Sequence, residues 1–122
     1  MGKAVTLGKQ RPAHIPTPGH LISAQEDGWE TLRWHVFSRD KGCLAPVLDV
    51  AAGRCRGKLT FQHVKEDPRI AQKAPDDEAH GLTLCEGHHL DTRAGANWAT
   101  SRLALELQRS YLARLYTTVW SR

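Results

Sequence analysis

The chain has no long hydrophobic run, no apolar stretch near its N-terminus and no even set of cysteines. Without the roughly 20 consecutive apolar residues that a bilayer demands, it is not expected to span a membrane. Without an apolar h-region, no signal peptide is visible, and the cytosol is the expected compartment. The three cysteines are Cys43, Cys55 and Cys85. An odd count with no secretion signal argues against a disulfide framework and turns attention to metal binding or to the core.

What is present is an ordinary polar chain. Its 122 residues suffice for one compact domain, apolar residues make up 40%, and no internal repeat is found. Mean hydropathy is -0.49. The net charge of +4 suits a polyanionic partner without demanding one. The distribution says more. Arg54, Arg56 and Lys58 stand together with no acid between them, and the tail from 94 to 122 sets four arginines against Glu106 alone. Acids gather at Glu66-Asp67 and at Asp76-Asp77-Glu78. Each such cluster also has a plain reading as solvated surface.

Residues 1–28 are rich in Gly, Pro and small polar residues and read as a flexible N-terminal extension, leaving 29–122 as the domain. A helix is expected from Trp29, capped by Asp27 with Glu30, bearing Trp29, Leu32, Val36 and Phe37 on one face and stopping at Gly42. Residues 44–57 read as irregular, with Pro46, Gly53 and Gly57 as breakers. Strands are expected at Lys58–Val64 and Leu82–Leu84, separated by a long polar loop over 65–79, with a short helix from Cys85 to about Arg93. A last helix, capped by Asn97, Thr100 or Ser101, should run to about Val119. Leu103, Leu107, Tyr111, Leu115 and Val119 form its apolar stripe. That stripe reads as core packing, with a dimer seam as the other possibility, so a monomer or weak dimer is expected.

Four of the seven histidines fall between residues 63 and 89, in the stretch that also holds Cys85. Cys85-Glu86-Gly87-His88 is a C-x-x-H pair, a spacing that lets one tight turn aim two side chains at a tetrahedral ion. With Cys43 and Cys55 it completes a Cys3His set suited to structural Zn2+. Such an ion is worth on the order of 10 kcal/mol of folding free energy, which would stabilise a middle region poor in apolar residues. The other reading of the cysteines is as small buried hydrophobes.

Arg39-Asp40-Lys41-Gly42-Cys43, then Leu59-x-x-x-His63-Val64, then His80-Gly81-Leu82-Thr83-Leu84-Cys85-x-x-His88-His89, resembles the HNH endonucleases, in particular small zinc-containing phage and bacterial members. The resemblance covers about residues 29–99. It implies an α+β fold in which a beta-beta-alpha-metal core carries a structural zinc and flanking helices. It makes His63 the general base, His89 a ligand of a catalytic Mg2+, Mn2+ or Ni2+ ion, and His80 the occupant of a middle position that is usually Asn and orients the loop or the base. The products it implies are a 5′-phosphate and a 3′-hydroxyl.

Two positions depart from the family pattern. Gln62 stands where relatives have an acidic or histidine metal ligand, and Arg93 stands where many have a second helix histidine. An amide oxygen accepts a cation without neutralising it, and an arginine clamps phosphate instead of ligating metal. Taken singly, His63 also reads as a core histidine, His80 as a loop residue and His89 as the zinc ligand in place of His88. DNA is the expected partner, with Arg54, Arg56, Lys58 and Arg93 on phosphates. Some phage relatives serve genome packaging beside a terminase. The alternatives are a non-catalytic, zinc-dependent nucleic-acid-binding module and a small zinc-built interaction domain.

Overall fold

The computed structural model describes residues 20–90 and 98–120. Two antiparallel strands, β1 (Leu59–His63) and β2 (Gly81–Cys85), run in the register Leu59↔Cys85 to His63↔Gly81. Helices cover both faces. On one side lies α2 (Trp29–Asp40), preceded by the single turn α1 (Ala24–Asp27). On the other lie α3 (Ala45–Leu48) and α5 (Arg102–Leu115). The short helices α4 (Glu86–His89) and α6 (Thr117–Trp120) follow β2 and α5 respectively. None of the helices in the described residues is long and apolar enough to cross a membrane.

Strand alternation divides the core. Val64, Leu82 and Leu84 pack with Leu44, Ala45, Ala99 and Leu112. Phe61 packs on the opposite side with Ile22, Leu32 and Val36. All five residues of β2 are buried. Gly81 is required by close approach: a Cβ there would fall 1.9 Å from Phe61 Cζ.

The N-terminal boundary differs from the expectation. Residues 22–28 belong to the packed body. Ile22 is buried, Ala24 N–H donates to the Asp76 carbonyl (2.9 Å), Glu78 N–H donates to the Ile22 carbonyl (2.9 Å), and Ser23 forms a bridge with Asp77. Asp27 does not cap α2. Its carboxylate accepts from Ser23 N–H (3.0 Å) while Ser23 Oγ accepts from Glu26 N–H (3.1 Å), so the box closes α1 instead. Gly28, at φ 91°, turns the chain into α2. Residues 45–48, expected to be irregular, make a helical turn with Pro46 in its first turn, where the missing N–H costs nothing.

Asp40 is buried in α2 alongside Leu32 and Val36. Asp40 takes Arg39 Nε and Nη2 (2.8 and 3.0 Å), Thr83 N–H and Oγ1 (both 2.9 Å) and the Tyr111 hydroxyl. Arg39 also donates to the carbonyls of Glu78 (2.7 Å) and Gly81 (2.8 Å) and to the Tyr116 hydroxyl (3.0 Å). This pair therefore joins α2, β2, α5 and the end of the interstrand connection.

The last helix is shorter than expected and rotated. Ser101 caps it, its hydroxyl accepting from Ala104 N–H (3.2 Å), and it stops at Leu115. The buried positions are Ala104, Gln108 and Leu112, while Leu103 and Leu115 of the expected stripe are 56% and 48% exposed. Tyr116, just past the helix, reaches Glu78 Oε2 (2.6 Å). The α4 helix ends at His89, and the expected continuation to Arg93, with the cap at Asn97, lies outside the described residues.

Candidate metal centre and histidine cluster

Cys43 follows the end of α2, Cys55 lies in the extended stretch before β1, Cys85 ends β2, and His88 lies in α4. These four positions, far apart in sequence, converge so that their three sulfurs and the His88 Nδ1 all lie within 4.8 Å of one another. Cys85 Sγ is 3.1 Å and Cys43 Sγ 3.6 Å from that nitrogen. His88 Nε2 donates to the Ala52 carbonyl (3.0 Å), which leaves Nδ1 as the acceptor nitrogen facing the sulfurs. Arg56 N–H donates to Cys85 Sγ (3.3 Å). Burial raises the Cys85 thiol, but the backbone N–H groups of Arg56 and His88 outweigh it and bring the value down to about 7. Burial pushes Cys43 up to about 12. Trp98 seals the group, with its ring edge-on to His88 (6.2 Å) and its indole N–H on Asp49 (2.9 Å). The Cys43, Cys55, Cys85, His88 set thus has the geometry of a metal-holding group.

His89 follows His88 in α4. His89 Nδ1 is 2.7 Å from Thr60 Oγ1. The Thr60 hydroxyl gives its one proton to the Leu84 carbonyl (2.7 Å), so His89 Nδ1 is the donor and Nε2 keeps its lone pair. Burial, and next the charge of His63, hold the His89 imidazole below its usual range. His63 Nε2 donates to Asp76 Oδ1 (2.7 Å). Its ring lies edge-on to Trp29 (5.8 Å) and Phe61 (5.0 Å), with the side chain 40% exposed.

His80 has partners of its own. Its ring is buried, donates Nδ1 to Asp77 (2.8 Å) and Nε2 to Glu66 (2.6 Å), and stacks on Trp120 (5.6 Å). Burial opposes its charged form, yet the two carboxylates outweigh burial and raise its pKa. With both nitrogens taken, His80 fastens the interstrand connection and has no nitrogen left for a substrate proton. Gln62 is buried on the face opposite His63. Its Nε2 donates to Gln108 Oε1 (3.0 Å), whose own Nε2 donates to the Ala99 carbonyl (3.0 Å). That relay fixes the amide direction, and Gln62 Oε1 has no hydrogen-bond partner among the described residues.

Arg54, Arg56 and Lys58 are exposed along the strip that joins the metal-holding group to β1. This strip is tied to α4 by Glu86 N–H on the Lys58 carbonyl and Gly87 N–H on the Arg56 carbonyl (both 2.9 Å). Arg93 lies outside the described residues. Sequence reasoning missed Asp76, Thr60 and Gln108. Only strand alternation, which sets Thr60 and Gln62 on one face, carried a signal for any of them. The acid run read as solvated surface is instead three histidine partners: Asp76 with His63, Asp77 with His80, and Glu78 with His35 (3.1 Å).

Models of known protein families, curated proteins and solved structures give no match to this chain. The fold and site define its class as a small α+β protein with a Cys3His group that could hold a metal ion.

Proposed function

We propose that this chain is a zinc-stabilised, metal-dependent DNA endonuclease or nickase of the HNH type. The observation that carries the reading is the hairpin-helix unit β1-β2-α4, which carries His63 at the end of β1 and His89, with its Nε2 lone pair open, on α4, while the Cys3His group clasps its base.

The donor chemistry fits zinc. Around one such ion, donor atoms at ~2.0–2.3 Å stand about 3.3–3.8 Å apart. The measured separations of 3.1 and 3.6 Å, with all four donors within 4.8 Å, are close to that arrangement. An imidazole whose far nitrogen is tied to a carbonyl and a thiolate that accepts a backbone N–H are typical outer supports of a metal site. Cys43, Cys55, Cys85 and His88 would fill all four positions, which suits a structural ion.

A second cation would rest on His89 Nε2 and substrate phosphate oxygens, because Gln62 is buried in its bond to Gln108 on the face opposite His63. A divalent ion there would supply charge relief at the scissile phosphate and the leaving oxygen. The chain's own groups do the rest. His63, with Nε2–H on Asp76, has its lone pair on Nδ1 and accepts a proton from the attacking water there. Thr60 holds His89 in one tautomer. Arg54, Arg56 and Lys58 offer charge to phosphates.

Plasmid cleavage in Mg2+, Mn2+ or Ni2+ tests the reading. His63→Ala should lower the rate by about 10²-fold or more, the usual contribution of a general base. Equal cutting by both proteins would remove His63 from that role.

The neutral Gln62 amide, engaged by Gln108, favours a second reading as a zinc-dependent nucleic-acid-binding module without catalysis. It predicts binding that weakens steeply with salt and no cleavage in any divalent ion. Cleavage that disappears in His89→Ala excludes it.

A further inference from the structure

We propose that Asp76, held by the docked segment Ile22–Ala24, is the positioning residue that fixes the tautomer and direction of the His63 ring. The inference rests on the reading of His63 as the general base.

Two half-exposed groups in water do not ordinarily hold a fixed contact, because solvent competes for both partners. Here each partner is fixed from another direction. The His63 ring is bracketed edge-on by Trp29 and Phe61, and its backbone is set in register opposite Gly81. The Asp76 backbone is set by its neighbours. Ala24 N–H donates to the Asp76 carbonyl (2.9 Å), and Ser23 bridges Asp77. Ile22 N–H donates to Glu78 Oε1 (2.6 Å), while Glu78 N–H returns to the Ile22 carbonyl (2.9 Å). Ile22 itself is anchored against Leu32, Val36 and Phe61. The segment therefore holds the acidic run in one register, and that register delivers the Asp76 carboxylate to His63 Nε2 at 2.7 Å.

An ionised carboxylate only accepts, so His63 must donate from Nε2 and keep its lone pair on Nδ1. The base is then pre-set to take a proton at Nδ1 without first exchanging tautomers. The carboxylate also faces the imidazolium that forms on proton uptake, at the moment when charge develops.

Ring 15N shifts of His63 in the zinc-loaded protein, in mildly alkaline buffer, test this without any substrate. The wild type should show the Nε2–H form, and Asp76→Ala should show a mixture. In cleavage, Asp76→Ala should lose about 10- to 100-fold in kcat with KM unchanged to within about twofold, the pattern of a misdirected base. Asp76→Glu, which keeps the carboxylate, should recover part of the loss.

Ala24→Pro provides an independent arm. It deletes the N–H that meets Asp76 at a first helical position where proline is tolerated, after an extended Ser23. It should lower kcat in the same direction without loss of zinc. A wild-type Nδ1–H tautomer, or a tautomer and kcat unchanged in Asp76→Ala, overturns the proposal. If the wild type cuts no DNA, the nuclease reading falls, while the 15N shifts still decide whether Asp76 sets the His63 ring.

Discussion

Cys55 offers the cleanest test of the metal-holding group, because it is the exposed cysteine. Replacing buried Cys85 or His88 would confound ligand loss with damage to packing. An exposed thiol exchanged for a hydroxyl has little packing to lose, and such surface changes are ordinarily within about 0.5 kcal/mol. If Cys55 is one of four zinc ligands, the expectation is quite different. Structural zinc in small modules contributes about 10–16 kcal/mol, so an equal share per ligand is about 2.5–4 kcal/mol. That corresponds to zinc affinity weaker by about 10²- to 10³-fold in Cys55→Ser. At saturating zinc it appears as a melting temperature roughly 10 °C lower for a chain of this size.

The assay has two arms. Competition against a chromophoric chelator gives the affinities, and thermal melts with and without chelator give the stabilities. The gap between wild type and variant should be present with zinc and absent after its removal. Equal zinc affinity for the two proteins refutes the ligand assignment. A gap that persists after chelation refutes the argument that Cys55 acts through metal.

Two further outcomes follow from the packing around β2. Gly81→Ala should destabilise by about 1–3 kcal/mol, the usual cost of overpacking, because the added methyl meets the Phe61 ring at 1.9 Å. Denaturant unfolding measures it, and Phe61→Leu in the same chain should recover part of the loss; additive losses in the double variant would contradict the steric account. For His80 the sign is set by a folded pKa raised above 6.5. Its stabilisation is fully present below about pH 6.5 and is lost as pH rises through the raised value. Glu66→Gln removes one of its two carboxylates, so the stability gap to wild type should shrink over that rise. Parallel stability curves across it would refute the pairing.

Much of the local architecture was legible in the residues. The α2 start at Trp29, the stop around Gly42, both strands and a last-helix cap among Asn97, Thr100 and Ser101 follow from rules that act within one turn or one strand. The C-x-x-H pair is also local, since two ligands on one turn need no distant help. The order of the cysteines was suggestive, but their meeting depends on the path of residues 44–57 and on β1 pairing with β2.

Only the tertiary structure decided the fate of the polar residues. Asp40, Glu78, Gln62 and Gln108 are polar yet buried, because each found partners from distant elements that offset its desolvation. The last helix turned its Ala104-Gln108-Leu112 face inward in place of the more hydrophobic leucine stripe, with Gln108 bonded to Gln62. The segment from Ile22 was assigned to an extension because short backbone bridges leave no periodic signature. A sequence names the groups that can bond and the turns that can hold them locally. Which carboxylate meets which histidine is settled only when strands and loops far apart in the chain are brought into register.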